Sequence, residues 1–218
     1  MQCHNPDATT TTTAAHALSG PASAPWLLMG NPNVGKSALC GRLTQHYMVV
    51  SNYPGTTVSI CQRSMALPGG TVMVTDTPGL HELHPYSEEE GVTRDLLLEH
   101  GRRARVLLVL DSRNLARGLH LALQVGELGC QGLVALNLWD EAGLAGILPE
   151  PALLAERLGV PCWPTVAVTG AGIEDLRRSP SAPLRAEVSY DPVIEDTVSR
   201  LTPLLAGITH LAPRGLAL

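Results

Sequence analysis

Gly30-Asn31-Pro32-Asn33-Val34-Gly35-Lys36-Ser37 matches the pattern G-x-x-x-x-G-K-[ST]. The apolar run Trp26-Leu27-Leu28-Met29 comes directly before it, and residues 38–43 directly after it can form a helix. Strand, glycine-rich turn and helix therefore follow one another in the order of a phosphate-binding loop. A chance turn of the same composition is the alternative, and the flanking strand and helix argue against it. The stretch predicts an α/β domain that binds a nucleoside triphosphate.

The chemistry of this phosphate loop supports that prediction. The start of a helix leaves backbone N–H groups without partners, and the aligned peptide dipoles add partial positive charge there. Gly30 and Gly35 allow the backbone to curl around a phosphate without a side chain in the way. Lys36 can reach the terminal phosphates, and Ser37 offers its hydroxyl to Mg²⁺. The loop leaves open which nucleotide is bound.

A polar segment with adjacent Pro and Gly follows the first helix, over residues 51–57. Such a segment does not continue a helix, so we expect a loop that carries the hydroxyls of Thr56 and Thr57. Loops of this kind can become ordered on a γ-phosphate and become free again after hydrolysis. The segment is therefore a candidate switch.

The nearly apolar strand predicted over residues 71–75 ends at Asp76-Thr77-Pro78-Gly79. Open α/β sheets place their ligand chemistry at the carboxyl ends of the strands. There the Asp76 carboxylate can hold Mg²⁺ through water, and Gly79 lets its own N–H approach a γ-phosphate. An ordinary turn at the end of a strand is the alternative, and the phosphate loop upstream makes it the weaker one.

Asn137-Leu138-Trp139-Asp140 follows another buried strand, predicted over residues 132–136. An N-x-x-D segment at a strand end puts an amide and a carboxylate side by side. The carboxylate can accept hydrogen bonds from the ring N–H and the exocyclic amine that guanine has and adenine lacks. The segment therefore predicts selection of guanine.

Composition and charge exclude several classes of protein. The net charge of −5 gives no electrostatic footprint for nucleic acid. The five cysteines are scattered, as in a protein of a reducing compartment rather than one with a zinc knuckle or a disulfide framework. No apolar run approaches the roughly 18–20 residues that cross a bilayer, so we expect no transporter pore in this chain. His81-Glu82-Leu83-His84 lacks the H-E-x-x-H spacing of zinc hydrolases and is predicted as a loop.

The elements predicted along the chain give an α/β fold of three layers, with a mostly parallel sheet and helices on both faces. Strands are predicted at 26–29, 58–65, 71–75, 106–110, 132–136 and 162–167, with a turn at 68–70. Helices are predicted from 36 to about 46–47, at 87–100, 115–128, 151–158, from 173, and from 191 with a kink or end at Pro203. The predicted units are a disordered tail (1–25), a nucleotide-binding domain (26–178), a linker (179–186) and a partial helical domain (187–218).

The motifs together resemble those of the cytosolic G domain of FeoB, the bacterial ferrous-iron transport family. The resemblance covers about residues 26–178, and it is carried by residues 30–37, 52–58, 76–79 and 137–140, and by 85–90, 93–95 and 114–121. It implies GTP binding and slow hydrolysis that regulates iron uptake by a membrane-embedded domain outside this chain. It also implies a cytoplasmic location at the inner face of the membrane, with GTP or GDP, Mg²⁺ and an activating K⁺ as ligands. An oligomer is left open, and no nucleic-acid partner is expected.

The resemblance assigns roles by position. It implies that Ser37, Thr57 and Asp76 hold Mg²⁺, and that Asn33 contributes to a K⁺ site. The residues expected to act in catalysis are Lys36, Asn33, Thr57 and Gly79. The residues expected to bind the nucleotide are Asn31, Pro32, Asn33, Val34, Gly35, Lys36, Ser37, Ala38, Gly55, Thr56, Thr57, Asp76, Gly79, Asn137, Asp140, Ala167 and Val168.

Two other functions compete with that of a GTPase. Leu80 follows Asp76-Thr77-Pro78-Gly79 and cannot orient an attacking water as a glutamine would, so a switch that binds nucleotide without hydrolysing it is one alternative. An RNA-associated assembly GTPase is the other, because residues 54–57 and 76–79 also resemble that group. The acidic balance of the chain argues against RNA binding.

Overall fold

One mixed sheet carries the phosphate loop. The structure is a computed structural model, and it describes residues 24–44, 48–67, 70–185, 188–208 and 210–218. The strands are β1 (Trp26–Met29), β2 (Met48–Asn52), β3 (Ser59–Leu67), β4 (Gly70–Asp76), β5 (Arg105–Asp111), β6 (Gln131–Asn137), β7 (Cys162–Pro164) and β8 (Ala182–Pro183). The helices are α1 (Lys36–Leu43), α2 (Glu88–His100), α3 (Leu115–Glu127), α4 (Trp139–Leu144), α5 (Pro151–Leu158), α6 (Ile173–Arg178), α7 (Pro192–Leu205) and α8 (Pro213–Ala217), and one 3₁₀ turn covers Gly101–Arg103.

The strands lie in the order β2-β3-β4-β1-β5-β6-β7, with β8 beside β6. The pairings of β1 with β4 and β5, and of β6 with β5 and β7, are parallel. The β2-β3-β4 end of the sheet is antiparallel, and so is β8 against β6. The carboxyl ends of β1, β4, β5 and β6 therefore meet at one edge, where the three predicted motifs come together.

Apolar clusters cover both faces of the sheet, because successive side chains of a strand point to opposite sides. Leu27 and Met29 of β1 join the cluster that packs against α2, α3 and α5. Trp26 and Leu28 join the opposite cluster, which includes residues of α1 and α6. Burial on both faces explains why the parallel strands are nearly continuous apolar runs. The predicted three-layer α/β class is confirmed, although the sheet contains more antiparallel pairing than predicted.

Three elements differ from the sequence prediction. Ser51 and Asn52, predicted in a loop, belong to β2, whose five residues are all exposed and pair only with β3. The short helix α4 was not predicted. The strand predicted over 162–167 ends at Pro164, where the chain turns into the loop that contains the bridge between Val166 and Ala171.

The segment predicted to be a linker, 179–186, is held by the sheet over part of its length. Residues 182–183 form β8, and the buried Leu184 donates its N–H to the carbonyl of Cys130. The following residue, Arg185, donates its N–H to the carbonyl of Leu158. The prediction of a linker without contacts is therefore wrong for residues 182–185. The boundaries of the predicted domains stay predictions.

The C-terminal segment packs through α7 and α8. Asp191 caps α7 by accepting from the N–H of Val193, and Pro192 occupies the first turn. Pro203 lies inside α7, which ends two residues later at Leu205. Glu195 of α7 binds Arg214 of α8 with a bidentate contact at 2.8 and 2.9 Å.

Several predictions fall on residues that the structure does not describe. These are the tail over residues 1–23, the end of the first helix at 45–47 and residues 68–69 of the hairpin turn. None of the helices in the described ranges is long and apolar enough to cross a membrane.

Candidate nucleotide-binding site

The phosphate loop joins β1 to α1 and folds around the Lys36 side chain. The Lys36 Nζ donates to the carbonyls of Gly30, at 3.1 Å, and Asn31, at 2.8 Å. Burial of the ammonium group lowers the pKa of Lys36 to about 8, and the nearby Asp76 carboxylate acts in the opposite direction. The loop therefore holds a buried cation at the start of a helix, where phosphate oxygens are favoured.

The turn after β4 is fastened to the phosphate loop. The N–H of Leu80 donates to the carbonyl of Gly30 at 3.1 Å, and Asn31 Nδ2 donates to the carbonyl of Leu80 at 3.2 Å. A Cβ on Gly79 would lie 2.7–2.8 Å from atoms of Pro32, so only glycine allows this approach of the two backbones. The predicted γ-phosphate contact, Gly79, is thereby placed beside the loop.

Leu80 is fully buried in the apolar cluster on the α2 and α3 face of the sheet. A leucine here cannot orient water, as predicted from its side chain, but it has a positive role in packing. Its hydrogen bonds to Gly30 and Asn31 hold the backbone, and its side chain fills the core.

A cavity of about 450 Å³ lies between the start of α1, the end of β4 and the loop after β2. Ser37, Thr57 and Asp76, the three residues predicted to hold Mg²⁺, all line it, together with Glu88 and Glu89 of α2. The two glutamates are exposed and were not predicted as site residues. The structure therefore brings the predicted metal ligands together around one polar space.

The donors in this cavity fit a hard divalent cation. Asp76 Oδ1 is buried and has no hydrogen-bond partner in the described part of the chain. Burial raises the pKa of Asp76, and the nearby Ser37 hydroxyl and the charges of Lys36 and Arg63 oppose the rise. A buried, unpartnered carboxylate oxygen next to a serine hydroxyl is a suitable pair of oxygen ligands for Mg²⁺.

The two adjacent threonines of the predicted switch have different environments. The Thr56 hydroxyl donates to the carbonyl of Tyr53 at 3.0 Å and accepts from the N–H of Val58 at 3.2 Å. The hydroxyl of Thr56 thus closes the turn that contains Gly55. Thr57 is exposed and faces the cavity of Ser37 and Asp76. Of the pair, Thr57 lines the cavity that contains the other residues predicted to hold Mg²⁺, and Thr56 does not.

Glu90, which was not predicted as a functional residue, organises the segment between Leu80 and α2. Its backbone N–H donates to the Ser87 hydroxyl, which caps α2. Its buried carboxylate accepts from the N–H groups of Tyr86, at 2.8 Å, and His81, at 3.3 Å. The pattern Ser87-x-x-Glu90 is the signal that could have found it, because it is the sequence pattern of a capping box, although the carboxylate here accepts from the residue before the cap, Tyr86.

At the other end of the site, the buried Asn137 side chain holds two segments together by hydrogen bonds, and we call it a brace for this reason. Its Nδ2 donates to the carbonyl of Val34 in the phosphate loop at 2.8 Å. Its Oδ1 accepts from the N–H of Ala167 at 3.0 Å and from the Thr165 hydroxyl at 3.3 Å. A Cβ on Gly35 would lie 2.4 Å from Asn137 Nδ2, and Gly35 has a φ of 88°, so this contact also depends on glycine. Asn137 thus connects the phosphate loop to the segment after β7.

Asp140, three residues after Asn137, lies exposed in the first turn of α4. Its carboxylate has no partner within the described ranges. The helix that carries it is tied to β5, because Arg113 binds both Asp111 and Glu141. The Arg113 guanidinium beside Asp111 lowers the pKa of that carboxyl. Asn137 and Asp140 therefore differ in environment: the first is enclosed by protein contacts, and the second is free to meet a ligand.

Ala167 and Val168, predicted to contact the base, form the loop after β7. Ala167 is buried and uses its N–H on Asn137, whereas Val168 is 75% exposed. We call residues 166–171 the base loop. Its ends are joined by the N–H of Val166 donating to the carbonyl of Ala171, and the N–H of Gly170 donates to the carbonyl of Val166.

Asn33 occupies the outer surface of the phosphate loop with a φ of 63°, which is unusual for a residue other than glycine. It lines a polar cavity of about 270 Å³ with His81, Asp111, Asn114 and Arg117. The predicted K⁺ ligand is thus exposed and lines a different cavity from the one lined by the residues predicted to hold Mg²⁺. Ala38, also predicted to contact the nucleotide, is exposed in the first turn of α1.

The arrangement is that of the P-loop GTPase class of α/β proteins: a phosphate loop after β1, an Asp-Thr-Pro-Gly turn after the neighbouring β4, and an Asn-x-x-Asp segment after β6. Comparison with known proteins identifies the family within this class. The family model described as ferrous iron transport protein B matches residues 25–179. The chain belongs to the ferrous iron transport protein B (FeoB) family, as the resemblance of its motifs predicted.

Individual relatives agree with this assignment. The chain is 36% identical over 185 residues to a Fe(2+) transport protein A/Fe(2+) transporter FeoB fusion protein of Porphyromonas gingivalis, covering 80% of this chain and 22% of that protein. It is 40% identical over 140 residues to the Fe(2+) transporter FeoB of Helicobacter pylori J99, covering 64% of this chain and 22% of the relative. The chain therefore spans less than a quarter of the length of these relatives.

A solved structure shows the same fold. The cytosolic domain of the T. maritima FeoB iron transporter in its GMPPNP form superposes with a TM-score of 0.81 at 31% identity. The match covers 89% of this chain and 79% of that one.

Proposed function

We propose that the chain binds guanine nucleotides and hydrolyses GTP slowly. The observation that carries the proposal is the pairing of a braced Asn137 with a free Asp140 at the end of β6. Asn137 holds the phosphate loop and the base loop together, and the Asp140 carboxylate has the acceptor oxygens that guanine requires. The GMPPNP form of the T. maritima relative supports a guanine nucleotide as the ligand.

Hydrolysis on this site would rest on positioning and charge. Lys36 and the N–H groups at the start of α1 would bind the phosphate oxygens, and the N–H of Gly79 would meet the γ-phosphate. Ser37, Asp76 and Thr57 would hold Mg²⁺, which neutralises charge that develops on the phosphates during transfer. Water would attack the γ-phosphorus in line with its bond to the bridging oxygen, so that GDP leaves and inorganic phosphate forms.

The position of Leu80 supports a low rate. The side chain is in the core, so no group at this position reaches an attacking water. A K⁺ ion held with the help of Asn33 would supply part of the missing stabilisation of the transition state, and the exposure of Asn33 on the loop supports this role. The same burial of Leu80 favours the second candidate function, a guanine-nucleotide switch without appreciable hydrolysis.

We further propose that the domain regulates ferrous-iron uptake at the cytoplasmic face of the membrane, through a membrane-embedded partner region. The support is the names of its relatives, which are iron transporters, and the fact that this chain spans about 22% of their length.

The guanine assignment is tested with Asp140→Asn. The wild-type chain is expected to bind GDP and GTP and to exclude ATP, because only guanine offers two donors to a carboxylate. An asparagine at position 140 offers an N–H donor in place of one carboxylate oxygen. Xanthine has a carbonyl where guanine has its exocyclic amine, and this carbonyl can accept from that donor. Asp140→Asn should therefore bind xanthosine diphosphate better than GDP. Fluorescence titration measures both affinities.

The matched control for this test is Asp175→Asn, which changes an exposed carboxylate on α6. It should keep the wild-type preference for GDP. Equal binding of ATP and GTP by the wild-type chain, or an unchanged preference in Asp140→Asn, would contradict the guanine assignment.

Single-turnover hydrolysis in K⁺ and in Na⁺ separates the two candidate functions. A slow, Mg²⁺-dependent rate that rises in K⁺ supports the GTPase, and Asn33→Ala should remove the K⁺ effect alone. Tight GTP binding with undetectable hydrolysis in either salt supports the switch.

A further inference from the structure

Two arginines connect α1 to the region after β7, one from each side. Arg42, in the last turn of α1, reaches the base loop, 125 residues further along the chain. Its Nε donates to the carbonyl of Ala167 at 3.1 Å, and its Nη2 donates to the carbonyl of Val168. One guanidinium thus spans two consecutive carbonyls of the base loop.

Arg177, on α6, makes the reverse contact. Its Nη2 donates to the carbonyls of Leu43, at 2.7 Å, and Arg42, at 3.2 Å, and its Nε donates to Leu43 at 3.1 Å. These carbonyls belong to the last turn of α1, where no helical partner is available and a cation is favoured. Glu174 holds the other side of Arg177 at 2.9 Å. The base loop and the helix that follows it are therefore both attached to the end of α1.

The base loop has internal hydrogen bonds, from the N–H of Gly170 and the Thr169 hydroxyl to the carbonyl of Val166, but these do not attach Val168 to the rest of the domain. Val168 is 75% exposed and contributes no packing to the core. Its carbonyl accepts only from Arg42 among the contacts found in the described ranges. Ala167 is fixed on both sides, since its N–H binds Asn137 and its carbonyl binds Arg42.

We propose that Arg42 is a positioning residue for the nucleotide base. Its hydrogen bonds to the base loop, together with those of Arg177 to the end of α1, set how long a guanine nucleotide stays bound; we call these two sets of hydrogen bonds the clamp. The proposal rests on the proposed guanine-nucleotide function. Helix α1 begins with the phosphate-binding residues Lys36 and Ser37 and ends at the clamp on the base loop. The same rigid element thus touches both ends of the site. Loosening the clamp frees the base loop to open while the phosphate loop stays intact.

The test compares Arg42→Gln and Arg42→Lys with the wild-type chain by following release of fluorescent GDP. Arg42→Gln should release GDP about tenfold faster, because charge-assisted hydrogen bonds contribute more than neutral ones. Arg42→Lys keeps the charge but offers no planar fork, so its release rate should fall between the two. The rate constant of GTP hydrolysis in a single turnover should change less than twofold, since no group at the phosphates is altered.

Hydrogen exchange of the nucleotide-free chain provides a second measurement that does not depend on a ligand. The amide of Gly170 in the base loop should exchange faster in Arg42→Gln, while the amides of β6 keep their wild-type rates. Arg177→Gln should give the same change, and the double variant should show less than the sum of the two effects. Arg157→Gln, an exposed arginine on α5, is the matched control and should alter neither measurement.

The outcomes separate the two proposals. Wild-type release of GDP from Arg42→Gln, or wild-type exchange of its base loop, would overturn the clamp. A wild-type chain that binds no guanine nucleotide would overturn the proposed function, and the exchange experiment would still decide whether Arg42 holds the loop. If Arg42→Gln fails to fold, Arg42→Lys and Arg177→Gln decide by the same measurements.

Discussion

Replacing Asn137 by alanine tests whether this residue acts as a brace rather than as a base contact. The change removes three hydrogen bonds from a side chain that is 1% exposed. It leaves the carbonyl of Val34 and the N–H of Ala167 buried without a partner. Each lost bond costs about 1 kcal/mol and each orphaned buried group adds to this, so we expect a loss of about 3–4 kcal/mol in the free energy of unfolding.

The loss should be measured without nucleotide, by urea denaturation followed by circular dichroism. In a thermal scan, about 3 kcal/mol corresponds to roughly 6–12 °C for a chain of this size. Asp140→Ala is the matched variant, because Asp140 is exposed and has no partner in the described residues. It should change stability by less than about 0.5 kcal/mol and yet abolish the preference for guanine.

A loss below about 0.5 kcal/mol in nucleotide-free Asn137→Ala would refute the interpretation of Asn137 as a brace. A loss of about 3–4 kcal/mol in Asp140→Ala would refute it as well, because the two residues would then not be separable into a structural and a ligand-binding part.

Three further predictions follow from the site and its surroundings. Asp76→Asn should leave the nucleotide-free melting temperature unchanged or raised, because burial raises the pKa of Asp76, while Mg²⁺-dependent hydrolysis falls by about 100-fold or more. Gly79→Ala should push Pro32 away and weaken nucleotide binding in calorimetry, whereas Gly41→Ala, whose Cβ would meet no atom of the described residues within 4 Å, should not. Arg214 lowers the pKa of Glu195 to about 2, so the stability by which wild type exceeds Glu195→Gln should be complete above about pH 4.5 and vanish as the pH falls towards 2. A pH-independent difference in urea denaturation would contradict this last assignment.

The sequence predicts the site well where the residues follow buried parallel strands. The apolar runs of β1, β4 and β6 identify the strands, and parallel strands bring their carboxyl ends to one edge. Knowing the strands therefore places the phosphate loop, Asp76 and Asn137 together. The comparisons confirm the family of the chain. The contact of each of these residues with nucleotide stays a prediction.

Elements without a burial pattern are harder to predict. Residues 48–52 are all exposed, so β2 has no alternation of apolar and polar residues and exists because β3 pairs with it. Helix α4 has only six residues, too few to show a helical period.

Long-range polar contacts also leave no local signal. Nothing near Arg42 indicates that its partners are the carbonyls of residues 167 and 168, since a backbone carbonyl is present at every position. The same holds for Glu90 and the N–H of His81, although the Ser87-x-x-Glu90 spacing shows that Glu90 turns back towards the start of its helix.

The burial of Leu80 decides what an attempt to accelerate the proposed hydrolysis by mutation would achieve. A glutamine placed there would not enter solvent beside a phosphate, because the site of the side chain is in the core between the sheet and α2. It would instead bury an amide among aliphatic groups, at a cost of about 1–3 kcal/mol. Leu80→Gln should therefore lower the melting temperature without raising the rate of hydrolysis. A faster variant requires a catalytic group supplied from another position or by another molecule.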